Sequence, residues 1–203
     1  STKAVDIAGT AANFLRRTSN RPFFLDVGFF ETHLPFPELG LTENERYCLP
    51  PEPLPDAPQV RSDMVGFKAS ARLLDDGIGV VLDALQASGK AEETLVICTT
   101  DHGIALPGMK CSLTDHGIGV MLLMRGPGVF HGGSVCDGMV SQTDLFPTLC
   151  DFLGITRPCW LTGNSLLPML NGNVEEINDA VFAEVTYHAA YEPQRAMRTA
   201  RWK

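Results

Sequence analysis

Asp101 and His102 are adjacent residues in the run Thr99-Thr100-Asp101-His102-Gly103, directly after the apolar segment Thr94 to Cys98. A carboxylate and an imidazole at the C-terminal end of a buried strand can both turn toward one cation. Lys110, a short loop later, can hold the anionic substrate which that cation polarises. The spacing therefore predicts a metal-assisted hydrolase site. The same residues also suit a plainer role, with Asp101 capping the next segment and His102 satisfied within a loop, because short motifs recur by chance.

Elements able to position such a site alternate along the chain. Lys3 to Arg17 carries Val5, Ile7, Ala8, Ala11, Ala12, Phe14 and Leu15 at helical spacing, and the apolar run Phe23 to Phe30 after Pro22 predicts a buried strand. Ser62 to Ser88 presents one apolar helical face and stops at Gly89, a residue free to take positive φ. The strand Leu95 to Cys98 follows. Val120 to Met124 is a short apolar run ended by the turn cluster Arg125-Gly126-Pro127-Gly128. A helix is expected from Thr143 to Leu153, closed by Gly154, and Val181 to Val185 reads as the last clear strand. The proline-rich stretch Leu49 to Pro58 reads as a surface loop, since proline removes backbone donors and fixes φ. Apolar strands alternating with amphipathic helices predict an α/β fold, a mostly parallel sheet covered by helices on both faces, with ligands at the C-terminal strand ends.

Composition narrows the partners. A chain of 203 residues with a net charge of −8 suits one globular domain and argues against nucleic acid or an anionic membrane as partner. An acidic protein that handles an anion must gather positive charge locally, as a bound cation with a few basic side chains would do. Cys48, Cys98, Cys111, Cys136, Cys150 and Cys159 show no paired spacing; Cys98 and Cys150 lie in apolar segments and read as small buried hydrophobes. No apolar stretch is long enough to span a membrane. Ser1 opens without an initiator Met or a leader pattern, and Arg198 to Lys203 reads as the start of a strand carrying Trp202. The chain is therefore expected to be a piece of a longer protein. No feature names a compartment.

Taken together, Thr99-Thr-Asp-His-Gly after a strand, Lys110, Arg125-Gly-Pro-Gly128 and Gln142-Thr-Asp-Leu-Phe-Pro-Thr-Leu-Cys-Asp-Phe-Leu-Gly-Ile155 resemble the second half of the sulfatase catalytic domain. Phe23-Phe-Leu-Asp-Val-Gly-Phe-Phe-Glu-Thr-His33-Leu-Pro35 is similar to an earlier strand-plus-histidine element of that family. Asp101 to Lys110 and Glu184 to Arg195 look most like the heparan N-sulfatase, or sulfamidase-like, branch. The resemblance implies an alkaline-phosphatase-like fold, incomplete in this chain, with residues 1–197 in the catalytic domain and 198–203 beginning a truncated C-terminal subdomain. It also implies calcium-dependent hydrolysis of sulfate esters or sulfamates by a formylglycine nucleophile. That nucleophile arises in a Cys/Ser-x-Pro/Ala-x-Arg motif. Cys48-Leu-Pro50 lacks the basic residue, and Cys159 is followed by Trp160 and Leu161, so the nucleophile and the remaining calcium ligands are expected upstream and this chain alone is expected to be inactive.

Under the same resemblance, Asp101 and His102 are ligands of the single Ca²⁺, and Lys110 and His33 are catalytic residues that contact the sulfate. Lys110 would act as a point charge and His33 as a hydrogen-bond donor able to protonate the leaving group. His188 and Arg195 line the substrate mouth, where an arginine suits a sulfate or carboxylate on a sugar. The implied substrate is a sulfated or N-sulfated carbohydrate or another small sulfate ester. Asp115-His116-Gly117 repeats letters of the metal motif without a preceding strand, so His116 reads as structural or substrate-side. Gly119 and Met121 depart from the family's usual Arg and Pro. A phosphoester or phosphonate hydrolase of the same superfamily, with two transition-metal ions, is the alternative enzyme class. A catalytically dead binding remnant is the alternative outside enzymes.

Overall fold

Small side chains dictate how the first helices meet. In the computed structural model, which describes residues 3–17, 21–37, 44–188 and 190–203, α1 spans Ala4–Arg17 and buries Ala4, Ala8, Ala11, Ala12 and Leu15. The long helix α2, Pro58–Ala87, buries Ser70, Gly77 and Ala84, one small residue every two turns. A Cβ on Gly77 would stand 3.3 Å from that of Ala4 and 3.0 Å from Phe29 Cε1, so the missing side chain sets the close approach. The helix begins four residues before the predicted Ser62 because Pro58 occupies its first turn, where the absent N–H costs nothing. It ends at the predicted glycine, Gly89, with φ +73°.

The chain forms two compact units, Ser1–Glu93 with Gly103–Lys110, and Thr94–His102 with Cys111–Lys203. In the first, Cys48, Met64, Leu106 and Met109 form a buried cluster bordered by Leu54, Val65, Phe67 and Ile104. Arg61 braces the same region by donating to the carbonyls of Glu45 and Arg46 and forking onto the Asp56 carboxylate. That pair lowers the Asp56 pKa. The predicted buried strand Phe23 to Phe30 is instead an extended segment without a ladder partner among the described residues. Phe23, Leu25, Val27 and Phe29 are half-buried, while Phe24, Asp26, Gly28 and Phe30 are exposed. Apolar content set its extended shape, but only a neighbouring strand supplies a ladder.

The second unit holds β1, Val96–Thr99, paired antiparallel with β2, Leu122–Arg125, in the register Val96↔Arg125 to Thr99↔Leu122. Between them lies the single turn α3, Asp115–Ile118. A 3₁₀ turn, Gln142–Asp144, leads into α4, Leu145–Phe152; Gly154 closes it with φ +65°, as predicted. After α5, Leu167–Leu170, a hairpin pairs β3, Ala180–Tyr187, with β4, Tyr191–Thr199. Arg198 and Thr199 are the end of β4 rather than the start of a strand reaching Lys203; residues 200–203 turn back instead, the Trp202 N–H donating to Thr199 Oγ1 at 2.8 Å, with Arg201 stacked 4.8 Å over the Trp202 ring.

Both ladders among the described residues are antiparallel, which corrects the expectation of a mostly parallel sheet for these strands. The apolar runs did not encode strand sense. In β2 burial alternates, Leu123 being 62% exposed, as antiparallel strands with one open face allow. All six cysteines are free thiols; Cys48 and Cys150 are buried, and Cys98 is half-buried rather than buried. No helix among the described residues is long and apolar enough to cross a membrane.

Candidate active site

The loop that delivers Lys110 is anchored by its apolar members. Leu106 and Met109 insert into the cluster around Cys48 and Met64, and the Lys110 N–H donates to the Ile104 carbonyl at 3.1 Å, closing the turn. The lysine is therefore presented by a packed loop. Its Nζ lies 3.3 Å from His33 Nε2, so two residues far apart in sequence and assigned to the same anion meet within one unit.

His33 is itself held on three sides. Its backbone N–H donates to the Phe30 carbonyl at 2.9 Å, its ring stands 4.8 Å from the Phe30 ring, and Nδ1 lies 2.6 Å from the Leu34 carbonyl. A carbonyl only accepts, so Nδ1 carries the proton; an ammonium only donates, so Nε2 accepts from Lys110. In this arrangement Nδ1 faces the Leu34 carbonyl as donor, and Nε2 and Lys110 Nζ are turned to one place. The turn before it is tied to α1, where the Ala4 N–H donates to Glu31 Oε1 at 2.9 Å.

In the second unit, β1 ends at Thr99 and the chain bends through Asp101 and His102. The Asp101 side chain is 86% exposed; Oδ1 accepts from the His102 N–H at 3.1 Å and Oδ2 lies 3.4 Å from His102 Nε2. The structure thus brings Asp101 and His102 together at a strand end. Among the described residues no group of three or more His, Cys, Asp and Glu gathers as a metal shell. Asp101 offers the exposed carboxylate oxygen a hard cation requires, and His102 a second donor. Of the two, the Asp101 carboxylate matches the oxygen preference of Ca²⁺, whose shell takes about six to eight oxygen ligands, whereas the His102 imidazole offers nitrogen, an unusual donor for that ion.

Asp115-His116-Gly117 forms the turn α3, where Asp115 is paired with Lys203 at 2.7 Å and with Arg198 at 3.5 Å. The Lys203 hydrogen bond, aided by Arg198, holds the Asp115 pKa below the ordinary carboxylate value. Such a group stabilises the fold above its unfolded pKa and loses that contribution as pH falls through its folded value. Asp115 is largely exposed, so Asp115→Asn is expected to cost about 1 kcal/mol or less at pH 7 and nothing at pH 2. Denaturant unfolding at both values checks it. Arg195 is engaged across the hairpin, its Nε donating to Glu184 at 3.1 Å; His188 is exposed beside the turn. Asp75 and Asp76 lie on the exposed face of α2.

Asp144 was read only as a helix opener and is the buried polar centre of the second unit. Its carboxylate, 1% exposed, accepts from the Ser141 N–H at 2.8 Å, the Asn164 N–H at 2.7 Å and Asn178 Nδ2 at 2.8 Å. Removing the acceptor leaves three part-buried donors without their partner, so Asp144→Ala is expected to cost roughly 1–3 kcal/mol. A fall in chevron or equilibrium stability of under 1 kcal/mol would contradict this. The Gln142 side-chain amide donates to the Thr100 carbonyl, a contact sequence spacing gave no means of finding.

Residues 4–155 match the family model described as Sulfatase, and residues 110–203 match that of N-sulphoglucosamine sulphohydrolase, C-terminal. The chain is similar to human N-sulphoglucosamine sulphohydrolase, 30% identical over 210 residues that cover 86% of this chain and 41% of the relative. It is also similar to choline-sulfatase of Rhizobium meliloti, 32% identical over 71% of this chain and 29% of the relative. It thus spans less than half the length of these relatives. A solved structure from work on glycosaminoglycan metabolism by Bacteroides thetaiotaomicron shares the fold with a TM-score of 0.78 at 20% identity, covering 98% of this chain and 48% of that one. Another, in complex with its substrate D-glucosamine-2-N,6-O-disulfate, gives a TM-score of 0.62 at 22% identity over 70% of this chain and 32% of that one. The sulfamidase-like resemblance read from Asp101 to Lys110 and Glu184 to Arg195 agrees with these matches.

Proposed function

Since this chain belongs to the sulfatase family, we propose that it supplies part of the active site of an enzyme hydrolysing sulfate esters or sulfamates, with a sulfated or N-sulfated sugar as substrate. The observation that carries this reading is the meeting of Lys110 Nζ and His33 Nε2 at 3.3 Å on a packed loop. A cation and an imidazole converging on one point suit a tetrahedral anion with several acceptor oxygens. Lys110 turns its ammonium to the sulfate. His33, anchored through Nδ1, presents Nε2; to donate there it must take a second proton, which it can pass to the leaving oxygen or nitrogen.

Asp101 and His102 would hold Ca²⁺, with the other ligands and the formylglycine outside this chain. Bound there, the ion supplies positive charge that polarises the sulfate oxygens. His188 and Arg195 would face the sugar, Arg195 exchanging Glu184 for a substrate anion. The extended Phe23–Phe30 segment, exposed at alternate residues, suits a strand of a larger, mainly parallel sheet completed by the longer protein, in which residues 1–197 belong to the catalytic domain. The test is sulfate release by the full-length protein from an aryl sulfate, N-sulfated glucosamine and, as a rival, an aryl phosphate. Turnover of the phosphate alone would overturn the reading in favour of phosphoester hydrolysis, and turnover of none would favour a binding role.

A further inference from the structure

Asp101 makes no use of packing to hold its position, because its side chain stands almost wholly in solvent. Its reach is set by the backbone of Thr99 and Thr100, and that backbone is fastened from two sides. Thr99 Oγ1 donates to the Met121 carbonyl at 2.9 Å, tying the exit of β1 to the entrance of β2. The Thr100 carbonyl accepts from the Gln142 side-chain amide. A long polar side chain holds one geometry only if its own base is rigid.

The base of Gln142 is a turn closed by a capping box. Ser141 and Asp144 cap it reciprocally, with the Ser141 N–H on Asp144 Oδ2 at 2.8 Å and the Thr143 N–H on Ser141 Oγ at 3.4 Å. Buried Asp144 also takes the Asn164 N–H and Asn178 Nδ2. A Cβ on Gly163 would fall 2.1 Å from the Thr143 carbonyl oxygen, so only glycine lets the chain before Asn164 close on this turn. Every link from Asp144 to Asp101 lies within one compact unit.

We propose that Gln142 is the positioning residue for the calcium ligands, fixing the Thr100 peptide from which Asp101 and His102 project. The inference rests on the calcium-site reading above and adds to it the group that supports the ligands. Residues that orient ligands without touching the ion change metal affinity by about 10–100-fold when lost.

The experiment titrates Ca²⁺ alone into the metal-free, full-length protein by calorimetry, comparing wild type, Gln142→Glu, Gln142→Met and Asp101→Ala. Glutamate keeps the size of Gln142 but sets an acceptor against the Thr100 carbonyl; methionine keeps the length without a donor. Both are expected to weaken calcium binding by about 10–100-fold, to raise the calcium concentration for half-maximal activity by the same factor, and to recover near wild-type kcat at saturating calcium. Should either variant fold poorly, the other carries the comparison. Lowered melting temperature with unchanged calcium affinity in both would overturn the inference, leaving Gln142 a packing residue. If Asp101→Ala abolishes calcium binding while both Gln142 variants bind normally, the positioning inference alone fails. If Asp101→Ala binds calcium like wild type, the calcium reading fails with it.

Discussion

Asp101→Ala in the full-length protein is expected to abolish calcium-supported sulfate release, with turnover of an aryl sulfate falling by roughly a thousandfold or more. The substitution takes away an exposed carboxylate at the end of β1 that has the His102 imidazole 3.4 Å away and no role in the buried core. Stability should therefore stay within about 0.5 kcal/mol of wild type, as for exposed sites generally, while metal affinity collapses. Asp101→Asn keeps an oxygen ligand and loses the charge, so it should bind calcium weakly and regain part of its activity at high calcium. The measurement is turnover against added calcium after EDTA treatment. Wild-type turnover by EDTA-treated Asp101→Ala would refute the assignment, because no hard-cation site loses a charged ligand without loss of affinity.

What the sequence disclosed about this site followed the range of the interactions involved. Asp101 and His102 are neighbours, so their meeting at a strand end was readable from two adjacent letters and an apolar run. α1, α2 and α4 were readable because helical periodicity is local, and Gly89 and Gly154 close their helices with φ of +73° and +65°. Strand sense was not readable, since Val96 to Thr99 would look the same beside a parallel partner as it does against Leu122 to Arg125. Phe23 to Phe30 shows the same limit from the other side: its composition fixed an extended chain, and the ladder depends on a neighbour the segment cannot specify. The hold of Gln142 on Thr100 and of Asp144 on Asn164 and Asn178 joins residues distant in sequence, with no periodicity to mark it. Asp144 resembled any helix-opening aspartate, and only its 1% exposure distinguishes it.

Lys110 and His33 share one anion in this reading yet should fail differently when removed. The lysine carries a fixed charge that a sulfate meets on binding and keeps through the transition state, so Lys110→Ala is expected to raise KM and lower kcat together, with kcat/KM down by about 10²–10³-fold. The histidine, with Nδ1 facing the Leu34 carbonyl as donor, gives a proton from Nε2 only after gaining a second one. That donation matters as the bond to the leaving group breaks. His33→Ala should therefore lower kcat chiefly, by about 10²–10⁴-fold for a sugar sulfate or sulfamate, whose leaving group needs the proton. An activated aryl sulfate, whose leaving group departs as a stable anion, should lose far less. The loss of His33 also removes the acceptor 3.3 Å from Lys110 Nζ, freeing the ammonium for the sulfate, so KM should change little. Equal kcat losses on both substrates would show that His33 only binds the anion or packs on Phe30. Its acid role would then be withdrawn, while the assignment of Asp101 and His102 to the metal would stand on its own test.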